Sequence, residues 1–172
     1  LQRYAEAFSF LQSKNLYTVD DLENTLHAMQ DKIDMLKKSA SSKQARIKEV
    51  DGLLRMVDYY KSGKPAADKL KSIRFEKSRQ KYKAGHDNEL RTFYMAERKL
   101  KPYFKDGKMP ITAWRRERKR LEQEYKDIQT ELSPLYADVK KLWAIHYNIY
   151  EVQHEQERQQ TQLHSRKTEI EL

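Results

Sequence analysis

Leu22, Leu26, Met29, Ile33, Leu36, Ala40, Ile47, Val50, Leu54 and Val57 follow one another in alternating steps of four and three residues, and Lys43 fills the one seam position that is not apolar. A 4-3 alternation averages 3.5 residues, which keeps a single stripe of an α-helix facing a partner over many turns. No strand pattern satisfies that spacing, so the feature alone commits the chain to a long helix with a packed seam. Thr18 is placed to cap its start, and Asp20 and Asp21 fall in the first turn, where the helix dipole favours negative charge. Ser62-Gly63-Lys64-Pro65 reads as its stop and turn. A helix over about residues 19 to 61 would be roughly 60 Å long.

A second seam runs through Leu121, Tyr125, Ile128, Leu132, Leu135, Val139, Leu142, His146 and Ile149, with Trp114 one heptad before Leu121. It opens after Lys108-Met109-Pro110-Ile111, where Thr112 can cap, and Pro134 predicts a kink near residues 130–134 because an interior proline lacks an N–H and clashes with the preceding turn. A shorter helix over residues 3–14 carries Tyr4, Ala7, Phe8 and Leu11 and ends at Asn15-Leu16-Tyr17. The stretch between the seams holds two further helices, over about 66–83 and 88–105, split by Ala84-Gly85-His86-Asp87, with Asp87 as N-cap of the second. Pro102 and Asp106-Gly107 end it.

The expected fold is therefore all-α: an elongated antiparallel hairpin of two long coiled-coil-like helices with a shorter helical insert at one end. Its segments are 1–17, a short N-terminal helix packed on one end of the hairpin; 18–62, the first heptad helix; 63–111, a basic insert; 112–152, the second heptad helix; and 153–172, a polar tail expected to fray. A two-chain coiled coil satisfies the same seams. The helices between them favour the self-paired hairpin, since they can turn the chain around.

Composition agrees. Of 172 residues, 38% are apolar and 35% charged, too polar for a thick spherical core, and four Gly and four Pro are too few for a many-turned β fold. Without cysteine there is no disulfide, thiolate zinc site or thiol nucleophile. No run of 18 apolar residues offers a membrane span, so a cytoplasmic protein that does not engage membranes is expected. The chain begins at Leu1 with neither Met nor a targeting segment, as expected of a piece of a longer protein.

Charge is unevenly distributed. Residues 1–60 hold nine basic and nine acidic side chains, residues 61–120 hold 20 and seven, and residues 121–172 hold six and ten. The middle third interleaves its bases with Phe75, Tyr82, Phe93, Tyr94, Tyr103, Phe104 and Trp114. Lys and Arg neutralise phosphates with release of counterions, and aromatic faces stack unpaired bases. The candidate phosphate-binding residues are Arg115, Arg116, Arg118, Lys119 and Arg120, with Arg74, Lys77, Arg79, Lys81 and Lys83. Against this stands the plainer reading, in which basic helix faces are solvated surface and aromatics at helical spacing are core.

No catalytic or metal constellation is legible, and no cofactor is expected. His27, His86, His146, His154 and His164 form neither a His-x-His nor a His-Glu-x-x-His array. Glu151 and His154 make one Glu-x-x-His step, whereas di-metal bundles need two and further carboxylates. His146 sits at a seam position, which suits a hydrogen-bonded core histidine. Tyr59-Tyr60 matches the paired tyrosines of some DNA-nicking enzymes, but such chemistry also needs a histidine-bound metal. These tyrosines are expected to pack near a helix end.

Three stretches resemble the C-terminal helical region of relaxase/mobilisation proteins (MobA/MobL-like) of Gram-positive conjugative transposons. Phe10-Leu11-Gln12-Ser13-Lys14-Asn15-Leu16, followed by Thr18-Val19-Asp20-Asp21-Leu22, resembles that region's opening into a capped helix. Leu53-Leu54-Arg55-Met56-Val57-Asp58-Tyr59-Tyr60-Lys61 resembles its long-helix exit, and Lys108-Met109-Pro110-Ile111-Thr112 the start of its last helix. The resemblance spans most of residues 8–152. It implies a parent protein that nicks DNA at a transfer origin through a tyrosine and a histidine-bound metal in an N-terminal domain. No residue here inherits those roles. This region would be a non-catalytic accessory part that grips DNA or engages accessory and coupling proteins of conjugation. The alternative is a coiled-coil interaction module, recruiting a partner or self-associating, with no role on nucleic acid.

Overall fold

Thr18 and Asp21 form a reciprocal cap. The Asp21 backbone N–H donates to Thr18 Oγ1 at 3.0 Å, and the Thr18 N–H donates to Asp21 Oδ2 at 3.0 Å. Two otherwise orphaned donors are satisfied at once. This cap starts α2, Val19–Ser72. It follows α1, Gln2–Ser13, whose end is turned by Asn15 at a φ of 56°, a left-handed conformation that Asn tolerates better than most residues. The computed structural model describes the backbone of residues 2–105 and 107–170 and the side chains of residues 5–105 and 107–162. Tyr4 and His164 therefore lie outside the described side chains. Beyond α2 come α3, Glu76–Gly85, α4, Asp87–Leu100, a short 3₁₀ turn at Lys101–Tyr103, and α5, Ile111–Ile170. No strand occurs among the described residues. The fold is all-α, with its two long helices packed against each other as a helical hairpin.

The chain divides into two units, Leu1–Ser39 with Ile128–Leu172, and Ala40–Asp127. In the first, Leu22, Leu26 and Ile33 of α2 are buried, as are Ile128, Leu132, Val139 and Leu142 of α5. Lys32 pairs with Glu131 at 2.6 Å, and Glu23 lies 2.8 Å from His146 Nε2. One partner's number rises as the other's falls, so the helices run antiparallel. The α1 helix lies on α5: Lys14 pairs with Asp138, and Phe10 sits under the ammonium groups of Lys14 and Lys141 at 5.7 and 5.2 Å.

The second unit repeats the antiparallel pairing. Lys43, the polar seam residue, pairs with Glu124, Arg46 grips both carboxylate oxygens of Glu117 at 2.8 and 3.3 Å, and Arg118 pairs with Asp51. Val50, Val57, Leu100 and Trp114 form one core cluster, flanked by Leu54, Tyr60 and Phe104 among others. Ala66, Ala67 and Leu70 of α2 form a second with Leu90 and Phe93 of α4.

That second cluster corrects the expected stop at Ser62-Gly63-Lys64-Pro65. The α2 helix passes through Pro65 and ends ten residues beyond the expected 62, at Ser72. Proline there removes one helical hydrogen bond, and the buried face of Ala66, Ala67 and Leu70 offsets the loss. Gly63 is not a turn residue either. A Cβ at that position would lie 2.6 Å from Phe93 Cβ and 2.9 Å from the Glu89 carbonyl oxygen, so Gly63 is where α4 crosses α2. The helix expected over 66–83 is split accordingly, its first turns joining α2 and the remainder forming α3.

Smaller corrections concern caps and the tail. His86, not Asp87, occupies the N-cap of α4, and Asp87 instead pairs with Arg91 at 3.3 Å. In α5 the Pro110 carbonyl accepts the Trp114 N–H at 3.0 Å, which puts Thr112 inside the first turn rather than at the cap. Pro134 lies inside α5, and the stretch expected to fray is helical through Ile170. Its Glu, Gln and Arg residues are good helix formers, and Gln159 donates to Glu155 one turn away at 3.4 Å.

Candidate nucleic-acid interface

The second unit concentrates the positive charge. Residues 40–127 carry 25 basic and 13 acidic side chains, a net +12, whereas the other unit carries ten and 13. Its acids also occupy particular bases. Of the run Arg115–Arg120, Arg118 is held by Asp51 and, at 3.2 Å, by Glu122, and Arg120 pairs with Glu124 at 3.5 Å. Hydrogen bonding from Asp51 pushes the Arg118 pKa up, and hydrogen bonding from Lys43 holds Glu124 below the usual carboxylate range. Arg118 thus serves the helix pairing, and Arg120 is held within α5. Arg115, Arg116 and Lys119 are exposed and have no ion pair among the described residues.

The other five candidates cluster around α3. Arg74 lies in the link before it, and Lys77, Arg79, Lys81 and Lys83 lie on it. No residue of α3 is buried, and Glu76 is its one acid, accepting from Gln80 at 3.4 Å. Helical spacing puts Lys77 and Lys81 on one flank, and Arg79 and Lys83 on the other. Between the flanks, Tyr82 anchors the helix: it packs against the Ala67–Phe93 cluster, contacts the His86 ring at 4.2 Å, and lies under Lys69 Nζ at 5.5 Å. A shallow groove on this side is lined by Ile73, Ser78, Lys81, Tyr82, Gly85 and His86. None of the five candidates has an ion pair among the described residues. The arrangement is a small helix bearing cations without ion-pair partners among the described residues, which suits a polyanion.

The aromatics divide between the two readings. Phe93 and Trp114 are buried, and Tyr60 stacks on Phe93 with ring centroids 5.0 Å apart and meets Phe104 edge-on at 5.9 Å. These are buried or partly buried packing residues; Tyr60 packs, but inside α2 rather than near a helix end, and Tyr59 is 37% exposed. Phe75 differs: it is 78% exposed, between Arg74 and the start of α3. Sequence spacing could not separate it from the core aromatics. Lys71, Arg98, Lys99 and Lys101, also exposed on this unit, were missed because they fall outside the dense runs.

Three of the described histidines have a partner within one helical turn. His27 Nδ1 lies 2.8 Å from the Glu23 carbonyl, His86 3.2 Å from Glu89, and His154 3.5 Å from Glu157. His146 is half-buried against Glu23, as its seam position predicts. No group of three metal-ligating side chains, and no helix long and apolar enough to cross a membrane, occurs among the described residues. Comparison with protein-family models, curated proteins and solved structures returned no match to this chain.

Proposed function

We propose that this chain is a non-catalytic helical module that contacts DNA phosphates, the accessory region of a conjugative relaxase or DNA-mobilisation protein acting in the cytoplasm. The observation that carries the DNA reading is the set of cations on and beside α3 that have no ion pair among the described residues, exposed but for the half-buried Arg79, in a unit with a net charge of +12. The resemblance of residues 8–152 to relaxase helical regions supplies the biological setting, including accessory or coupling proteins as further partners. Lys77, Arg79, Lys81, Lys83 and Arg74 would contact phosphates, joined by Arg115, Arg116 and Lys119. Phosphate contacts position a protein on DNA without reading sequence.

The test is anisotropy with labelled single- and double-stranded DNA titrated across salt. Each phosphate contact contributes about 0.7 to 0.9 to the log-log salt slope. Replacing Lys77, Arg79, Lys81 and Lys83 by Gln should flatten the duplex slope by about 3.6 units. Arg118→Gln should leave it nearly unchanged, because that guanidinium is already paired. No binding at low salt, or a slope indifferent to the four-residue change, would reject the reading.

A further inference from the structure

The α5 helix carries a second stripe, about a quarter turn around the helix from the seam that faces α2. Tyr136, Trp143, Tyr147 and Tyr150 are each between 45% and 61% exposed, and they recur at the 4-3 spacing of a coiled-coil seam, with Lys140 and His154 completing it. Five neighbouring residues in one row, 136, 140, 143, 147 and 150, leave four large aromatics in water within the first unit. The core seam beside them, Val139, Leu142 and His146, is already used against α2. Scattered exposed aromatics need no explanation, but a contiguous row of this kind marks a binding surface.

The row identifies its own partner. Its steps of four, three, four, three and four read the same in both directions about Ile145. An antiparallel copy of the row therefore places Trp143 against the other copy's Tyr147, Lys140 against Tyr150, and Tyr136 against His154. Charge agrees with this orientation. Lys140, at the edge of the row, and Glu151, just outside it on the same side, are exposed and have no ion pair among the described residues. Antiparallel packing brings Lys140 of one copy beside Glu151 of the other. A parallel pair offers no such opposite-charge contact, because it sets Lys140 level with Lys140 and Glu151 level with Glu151, on opposite sides of the interface. An isologous contact of this kind closes after two copies.

We infer that the Tyr136–His154 face of α5 is the self-association surface of this protein, and that it takes a second copy of the same helix in antiparallel register. The aromatic side chains offer about 100 Å² each, or about 800 Å² over two copies, at half of their full burial. With Lys140, Ala144 and Glu151 at the margins, the contact approaches the ~1,200 Å² of the smaller specific interfaces, which corresponds to a reversible dimer at micromolar concentration. The inference is independent of the DNA reading.

The experiment is sedimentation equilibrium of the full chain from about 1 to 200 μM, alongside the double variant W143A/Y147A. Both residues are exposed in the monomer, so circular dichroism should show the helix retained. The wild type should reach a dimer, and the double variant should weaken it about thirtyfold or more, as expected when two central aromatics are lost. Lys140→Glu should weaken it as well, and adding Glu151→Lys should restore it. Orientation is read by single cysteines in this Cys-free chain. Ala144→Cys should cross-link to its own copy, whereas Ala137→Cys should not, because antiparallel packing separates those residues by about 24 Å along the axis. A monomer throughout, a dimer indifferent to W143A/Y147A, or equal cross-linking at both cysteines would overturn the inference.

Discussion

Two glycines inside α2 should respond to the same substitution with opposite signs. In a helix interior, Ala is favoured over Gly by about 1 kcal/mol, because the unfolded chain loses freedom and the helix loses none. Gly52 has nothing within 4 Å of an added Cβ, so Gly52→Ala should realise that gain. At Gly63 the added carbon would sit 2.6 Å from Phe93 Cβ, 2.9 Å from the Glu89 oxygen and 3.3 Å from Phe93 Cα. Optimal carbon contacts are ~3.5–4.0 Å, so α4 must retreat by about 1 Å. The obstacles are backbone and Cβ atoms, which no rotamer change can move. Retreat loosens Leu90 and Phe93 in the cluster they share with Ala66, Ala67 and Leu70. Strain of this kind costs about 1–3 kcal/mol, enough to reverse the propensity gain. Thermal unfolding followed by circular dichroism should show Gly52→Ala raising Tm by about 2–4 °C and Gly63→Ala lowering it, at about 2–4 °C per kcal/mol for a chain of this size. An increase in Tm for both variants would refute the close α2–α4 crossing. It would return Gly63 to the turn read from the sequence.

Other outcomes follow from the same packing. Pro65→Ala should restore the missing helical hydrogen bond and stabilise the second unit by up to about 3 kcal/mol, measured by urea denaturation; a loss of stability would mean that the helix does not run through this position. Leu100→Ala empties a site in the cluster of Val50, Val57 and Trp114 and should cost about 2–5 kcal/mol, whereas exposed Met35→Ala should cost under about 0.5 kcal/mol. Acid should weaken the fold through Asp21 and Glu124. The Thr18 hydroxyl and the Tyr17 N–H hold the Asp21 pKa down, and Lys43 does so for Glu124. With the folded value below the unfolded one, the unfolded chain takes up protons first. The contribution is therefore complete above the ordinary carboxylate range near about 4 and is lost as pH falls through the lower folded values. Replacing Asp21 by Asn should flatten the stability profile over that window, and an unchanged profile would exclude the cap as its source.

Periodicity carried most of the fold. Every residue of both seams, from Leu22 to Val57 and from Trp114 to Ile149, is buried or half-buried, because a 3.5-residue repeat can place them nowhere but on one helix face. Thr18 as the cap was legible for a related reason, since it bonds a residue three positions on, although Asp21 was read only as a first-turn charge and not as the reciprocal partner. Where the meaning of a residue depended on a distant neighbour, local reading failed. Gly63 and Pro65 have the chemistry of a chain reversal, and only Phe93, Leu90 and the crossing of α4 make them part of a continuing helix. Phe75 and Phe93 have the same side chain at similar spacing in the same basic region, yet one lies in water and the other in the core. The candidate interface divides in the same way. Net charge was readable from composition, and the (i,i+4) partners of Arg118 and Arg120 could have been read from their spacing. The pairing of Arg118 with Asp51, across 67 positions of chain, could not. Sequence determined that two long helices form and which stripe each must bury, since both are properties of a helix and its own neighbours. Tertiary structure decided that the stripes pair within one chain, which bases remain unneutralised, and that a second aromatic row on α5 is left without a partner, because each depends on what the folded chain brings alongside.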